Sequence, residues 1–310
     1  MRLLSPARMA RYKLVVQYIG SQYHGWQAQG GALRDDQFTV QRVLQDAVAK
    51  MLPGQQPSVV VGCGRTDKGV HALALPAHVD VDRVCRRTGL AKEAFSADVL
   101  KTGLNWHLRF TDVRVTDVRR VSQRFHARMT AESRTYLYRV LHGCTEVSIF
   151  ERNRVYHVFE TLDVQRMIDG CKYLIGTHDF SSFRDHKCEA RHPVRTITRF
   201  DIKQQDVYCL FESTKHPGMG SLLNIVVTAN AFLYHQVRSM VGVLVEVGRG
   251  AIEPDDVKRI LEARDRSILP NMAPPCGLYF LHAEYKPELE DVDESDSRTP
   301  HADLGNLSYI

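Results

Sequence analysis

Apolar residues fall on alternate positions from Tyr12 to Tyr18, with Tyr12, Leu14, Val16 and Tyr18 on one side, and this period of two predicts a strand. A polar, glycine-bearing loop follows from Gly20 to Asp36. From Thr39 to Leu52 the period changes: Val40, Val43, Leu44, Ala47, Val48 and Met51 form one stripe at helical spacing, with Thr39 as cap and Pro53-Gly54 as stop. Short β-branched runs then predict strands at Ser58 to Val61, around Ala77, Val79 and Val81, around Val113, Val115 and Val118, and at Tyr136 to Leu141. The second half repeats the style. Val164, Met167, Ile168, Cys171, Leu174 and Ile175 make a helical stripe, and strands are expected at Val194 to Ile202, Val207 to Phe211 and Leu223 to Ala229. An unusually apolar helix is expected from Val237 to Val247, and another is marked by Val257, Ile260 and Leu261.

Strands outnumber helices and come in runs. That predicts an α+β fold with a largely antiparallel sheet, and speaks against a doubly wound nucleotide-binding fold. No repeat of 20 to 50 residues is visible. Four segments are expected: an N-terminal extension over 1–11, an N-terminal half over 12–120, a C-terminal half over 121–286 and an acidic tail over 287–310.

Charge sharpens this division. The chain of 310 residues carries +5 overall, but from Pro287 onward seven acids face one base. The tail is therefore at −6 and the body at +11, a basic body that fits a polyanionic partner, with a tail expected to be disordered. The first acid is Asp35, and Arg2, Arg8, Arg11 and Lys13 precede it, which resembles a mitochondrial leader; about eleven residues before the first strand are short for one, so mitochondrial and cytoplasmic locations both stay open. Seven cysteines with no C-x-x-C pair predict a reducing, intracellular compartment. His178, His186, Cys188 and His192 match no common zinc spacing and read as a polar loop. No run approaches the roughly 18 apolar residues of a membrane-spanning helix.

The densest cluster of chemistry is Gly64-Arg65-Thr66-Asp67-Lys68-Gly69-Val70-His71-Ala72, between two expected strands. Glycines let the backbone turn and approach a ligand, and cations on both sides keep Asp67 ionised, so it can serve as nucleophile or base. A plain surface turn explains the same residue types.

This segment resembles the catalytic loop of TruA-type pseudouridine synthases, G-R-T-D-x-G-V-H-A. Further segments resemble the family in order: Tyr23-His24-Gly25-Trp26-Gln27, Thr39-Val40-Gln41, Phe125-His126-Ala127-Arg128, Arg134-Thr135-Tyr136-Leu137-Tyr138-Arg139, Gly176 to Arg184, Pro193 to Ile197, Phe232 to Gly242 and Ala273 to Leu278. The resemblance spans about Tyr12 to Tyr285; the loop Lys215 to Ser221 and the tail look like additions. It implies the pseudouridine synthase fold, with two ferredoxin-like halves joined into a mixed, largely antiparallel sheet around a central RNA-binding cleft. It implies isomerisation of uridine to pseudouridine in tRNA, in the anticodon stem-loop region, by C1′–N1 cleavage, base rotation and C1′–C5 joining. Asp67 would be the catalytic carboxylate, with sugar attack and sugar-proton removal both open. Arg238 would stand against it, Tyr136 would stack on the target base, Leu278 would line the pocket, and Arg65 would fill the gap left by a flipped base. Tyr138 is expected to be core. No metal and no organic cofactor is implied; the expected partners are tRNA and a second copy of the chain in a homodimer. The other reading is a non-catalytic RNA-binding protein on the same scaffold, since fold alone does not settle function.

Overall fold

The computed structural model describes residues 9–27, 38–53, 58–85, 87–88, 90–206 and 220–291. Alternating segments become the ten strands of one sheet: β1 Ala10–Tyr18, β2 Val60–Gly62, β3 His71–Val81, β4 Val113–Arg120, β5 Ala131–His142, β6 Tyr156–Val158, β7 Gly176–Asp179, β8 Val194–Asp206, β9 Ser221–Ala229 and β10 Leu278–Tyr285. The main order is β4-β1-β3-β10-β5-β9-β8-β7, with β2 on β3 and β6 on β5. Only β10 with β3 and β5 with β6 run parallel among the described pairs, so the sheet is mixed and largely antiparallel. The helices are α1 Val40–Met51, α2 Ala97–Leu108, α3 Val164–Cys171, α4 Gln236–Arg249, α5 Pro254–Ala263 and α6 Pro287–Glu290.

Two cores follow from the apolar stripes. Tyr12, Leu14 and Val16 of β1 are fully buried against Leu44 and Val48 of α1 and Leu100 and Leu104 of α2. The second core gathers Met167 of α3, Val241 and Leu244 of α4, Val257 of α5 and Ile225 and Val227 of β9. Tyr136 packs against both. Strand β10 joins the halves, lying parallel to β3 at Tyr279↔His71 and antiparallel to β5 at Phe280↔Tyr136.

Local chemistry explains most element ends. Thr39 accepts the Arg42 N–H at 3.3 Å and caps α1. The free edge of β2 is satisfied from α1, where Gln41 donates to the Val60 carbonyl at 2.7 Å and Gln45 accepts the Val60 N–H at 3.3 Å. Between β1 and β4 the register shifts, Val15↔Asp117 being followed by Val16↔Val115. This bulge restores an inward orientation to Val118, which is otherwise out of step with Val113 and Val115.

The structure differs from the sequence-based expectation in several places. β1 begins at Ala10, and Arg11 lies inside the sheet with its guanidinium on Asp80 at 2.7 Å, so residues 10 and 11 belong to the fold and not to an extension. Beyond Pro287 the chain is helical through Glu290, which pairs with Lys13, so the tail's first residues are ordered. The remaining tail from 292, the strand expected at Val207 to Phe211, the segment 1–8 and most of the loop from Lys215 lie outside the described residues. The helix α2 and the strands β6, β7 and β10 are additional. α2 buries only Leu100, Leu104 and Leu108 while exposing Val99 and Trp106, which blurs its stripe. Among the described residues no helix is long and apolar enough to cross a membrane.

Candidate active site

The loop after β2 is locked from below by the Tyr23–Gln27 segment. Trp26 is buried under Gly62, where a Cβ would come within 2.5 Å of the indole. The Trp26 N–H donates to the Thr66 carbonyl at 3.0 Å, and the Thr66 hydroxyl meets the Tyr18 phenol at 2.7 Å. Burial pushes the Tyr18 phenol up, so it stays protonated. Gly25 has φ 86° and its Cβ position lies 2.5 Å from the Thr66 carbonyl, so no side chain fits there. The Val70 N–H closes a turn on the Asp67 carbonyl at 3.1 Å, with Gly69 at φ 81°. Two segments about 40 residues apart thus act as one support, and Asp67 leaves it pointing into a cleft of about 420 Å³.

The opposite wall comes from the start of α4. Arg238 Nη1 lies 3.1 Å from Asp67 Oδ2, and Arg238 Nε donates to the Ala273 carbonyl at 2.9 Å. The chain at 271–273 reaches α4 only because Gly242 has no side chain; a Cβ there would meet the Asn271 carbonyl at 2.4 Å. An arginine near a helix N-terminus opposes the helix dipole, and the Asp67 carboxylate offsets its charge.

Tyr136 stands between two rings, edge to face with Phe232 at 5.2 Å and with Phe280 at 5.1 Å between centroids. Burial raises its phenol well above the ordinary value. Leu278 is buried and lines the same cleft. Arg65 is at the rim, donating to Gln27 at 2.9 Å and 3.5 Å from Glu189. Tyr138 is fully buried and donates to the Pro274 carbonyl at 2.6 Å, a core position as expected. Arg128, Arg134, Lys187 and Arg195 add positive charge around the opening. All five expected site residues, Asp67, Arg238, Tyr136, Leu278 and Arg65, therefore line one cleft.

Two site residues had drawn no separate notice in the sequence. His235 Nε2 lies 3.2 Å from Asp67 Oδ2, and its Nδ1 lies 2.8 Å from Asp185 Oδ2. His235 sat inside the Phe232 to Gly242 segment, so a signal existed; Asp185 followed the Gly176 to Arg184 segment with none. Burial pushes the Asp185 carboxyl up, but the Lys187 N–H and His235 outweigh it and hold it below the usual carboxylate range. The four residues expected in one polar loop are split: His178 lies in β7, and His186, Cys188 and His192 lie in the segment before β8. His178 meets the Ile175 carbonyl at 2.8 Å, and the Cys188 sulfur accepts the Tyr234 N–H at 3.4 Å. No cluster that could hold a metal occurs among the described residues.

An arginine-paired carboxylate and an aromatic ring thus share one basic cleft. Comparison with known proteins gives the class. Residues 171–286 match a family model described as tRNA pseudouridine synthase. The chain is 40% identical over 278 residues to tRNA pseudouridine synthase A of Rhodospirillum centenum, covering 89% of this chain and 100% of that protein. It is 36% identical over 298 residues to the protein of the same name from Agrobacterium fabrum, covering 93% and 100%, and 38% identical over 279 residues to that from Sinorhizobium fredii, covering 89% and 100%. The chain belongs to the tRNA pseudouridine synthase A family.

Proposed function

We propose that this protein isomerises uridine to pseudouridine in tRNA, with Asp67 as the reacting carboxylate. The observation that carries the reading is the Asp67 carboxylate, fixed in the cleft by Arg238 at 3.1 Å beside the Tyr136 ring. The reaction breaks C1′–N1, turns the base and joins C1′ to C5, and the proton lost from C5 balances one gained by the new N1–H. No electrons leave the nucleotide, so the chemistry calls for no redox group. Asp67 acts on the sugar, either at C1′ or on a sugar proton. Tyr136 offers its face to the uracil, Leu278 packs beside it, and Arg65 enters the stack once the nucleotide has been extruded. The target is a uridine of the anticodon stem-loop region, reached by a homodimer in an intracellular compartment. Recognition rests on tRNA shape and phosphate contacts.

The test is an Asp67→Asn protein incubated with tRNA transcripts, measuring pseudouridine and binding separately. No pseudouridine, with tRNA binding retained, is expected. Conversion at the wild-type rate would overturn the role of Asp67. A wild-type protein that binds tRNA without converting it would favour the non-catalytic reading.

A further inference from the structure

The two oxygens of Asp67 are unequal. Oδ2 takes both contacts, from Arg238 Nη1 at 3.1 Å and from His235 Nε2 at 3.2 Å. Among the described residues neither a hydrogen bond nor an ion pair reaches Oδ1. The histidine is itself held in place. Its Nδ1 lies 2.8 Å from Asp185 Oδ2, and its ring stacks on Tyr234 with centroids 3.7 Å apart. Asp185 is anchored in turn, Oδ1 accepting the Lys187 N–H at 2.9 Å. The backbone of His235 is left-handed at φ 64°, one residue before α4, a conformation that is strained for a non-glycine residue. Such strain persists where the surroundings demand it. Here it accompanies a ring seated between two carboxylates. The side chains of Asp67, His235 and Asp185 are each at most 14% exposed, so few waters compete for these bonds.

We infer that His235 is a positioning residue for Asp67: anchored on Asp185 through Nδ1, it sets Nε2 against Asp67 Oδ2 and leaves Oδ1 as the oxygen presented to the sugar. The inference rests on the proposed role of Asp67. Arg238 alone gives Oδ2 one donor, about which the carboxylate can still swing; a second contact from another direction restricts that swing. An asparagine at 185 preserves the arrangement with a singly protonated ring, because its oxygen accepts from Lys187 while its amide N–H donates to Nδ1, keeping the proton on Nε2.

Four variants separate the possibilities, assayed for kcat and KM on tRNA transcripts and for melting temperature. His235→Asn suits the left-handed backbone but is too short to reach Asp67. Asp185→Ala removes the anchor, Asp185→Asn keeps it, and Asp67→Asn is the control. His235→Asn and Asp185→Ala should lower kcat by at least about tenfold, the scale of a misplaced reacting group, with KM unchanged. Asp185→Asn should stay near wild type, which a purely charge-based role would not allow. His235→Asn at the wild-type kcat while Asp67→Asn is inactive would overturn the inference and leave Asp67 in place. A loss confined to KM, or Asp185→Asn as slow as Asp185→Ala at an unchanged melting temperature, would overturn it too. If Asp67→Asn still converts tRNA, the assignment of Asp67 fails first and this inference with it.

Discussion

Arg238 and Asp67 stand 171 positions apart in the chain, and their side chains meet at 3.1 Å. The pair is largely shielded, at 10% and 14% side-chain exposure, and the arginine is also tied to the Ala273 carbonyl. Removing one partner of such a pair leaves a poorly solvated charge, at a cost of about 3 kcal/mol. Arg238→Ala should therefore lose stability on that scale in urea unfolding and lose turnover with it. Arg238→Lys keeps a charge but not the planar fork that serves both acceptors, so it should fall between. An Arg238→Ala protein as stable as wild type would contradict the pairing.

The support under Asp67 makes a second expectation. Gly25→Ala places a methyl 2.5 Å from the Thr66 carbonyl at a backbone φ of 86°. The loop must shift, costing about 1–3 kcal/mol. Turnover should fall although Gly25 touches no substrate. Equal melting temperature and activity would show that the two segments are not interlocked.

Acid should destabilise the fold through buried histidines. His78 accepts the Ala127 N–H at 3.1 Å, and burial, with Arg11 and His126 nearby, lowers its pKa from 6.5 to about 4. Burial also lowers His71 and His142. The unfolded chain takes up these protons first as pH falls. The stability they contribute is present above 6.5 and is lost as pH drops towards about 4. In melting scans across that window, His78→Gln, whose carbonyl still accepts from Ala127, should show a shallower decline than wild type. Parallel curves would refute the role of His78.

Binding of tRNA should weaken steeply with salt. Arg128, Arg134, Lys187 and Arg195 border the cleft. Four phosphate contacts imply about a hundredfold loss of affinity between roughly 50 and 200 mM salt. A flat plot of log K against log salt would contradict a phosphate-binding rim.

Assembly as a homodimer is expected because shape recognition of a folded tRNA needs a long basic surface, which two-fold pairing doubles. Light scattering at micromolar concentration should give twice the chain mass. The mass of one chain, at full activity, would refute it.

Local periodicity determined what local interactions can determine. The alternation of β1, the Thr39 cap and stripe of α1 and the continuous apolar run of α4 follow from neighbours within a few residues. The motif series also named five of the residues that line the cleft. Tertiary structure decided the rest. Strand β10 lies between β3 and β5, and no local pattern encodes a strand's neighbours. That placement sets Phe280 against Tyr136 and seats Leu278 in the pocket. Asp185 and His235, 50 residues apart, meet only because the loop after β7 folds over the start of α4. Charge pairing across such separations depends on distance in space, to which sequence spacing is blind.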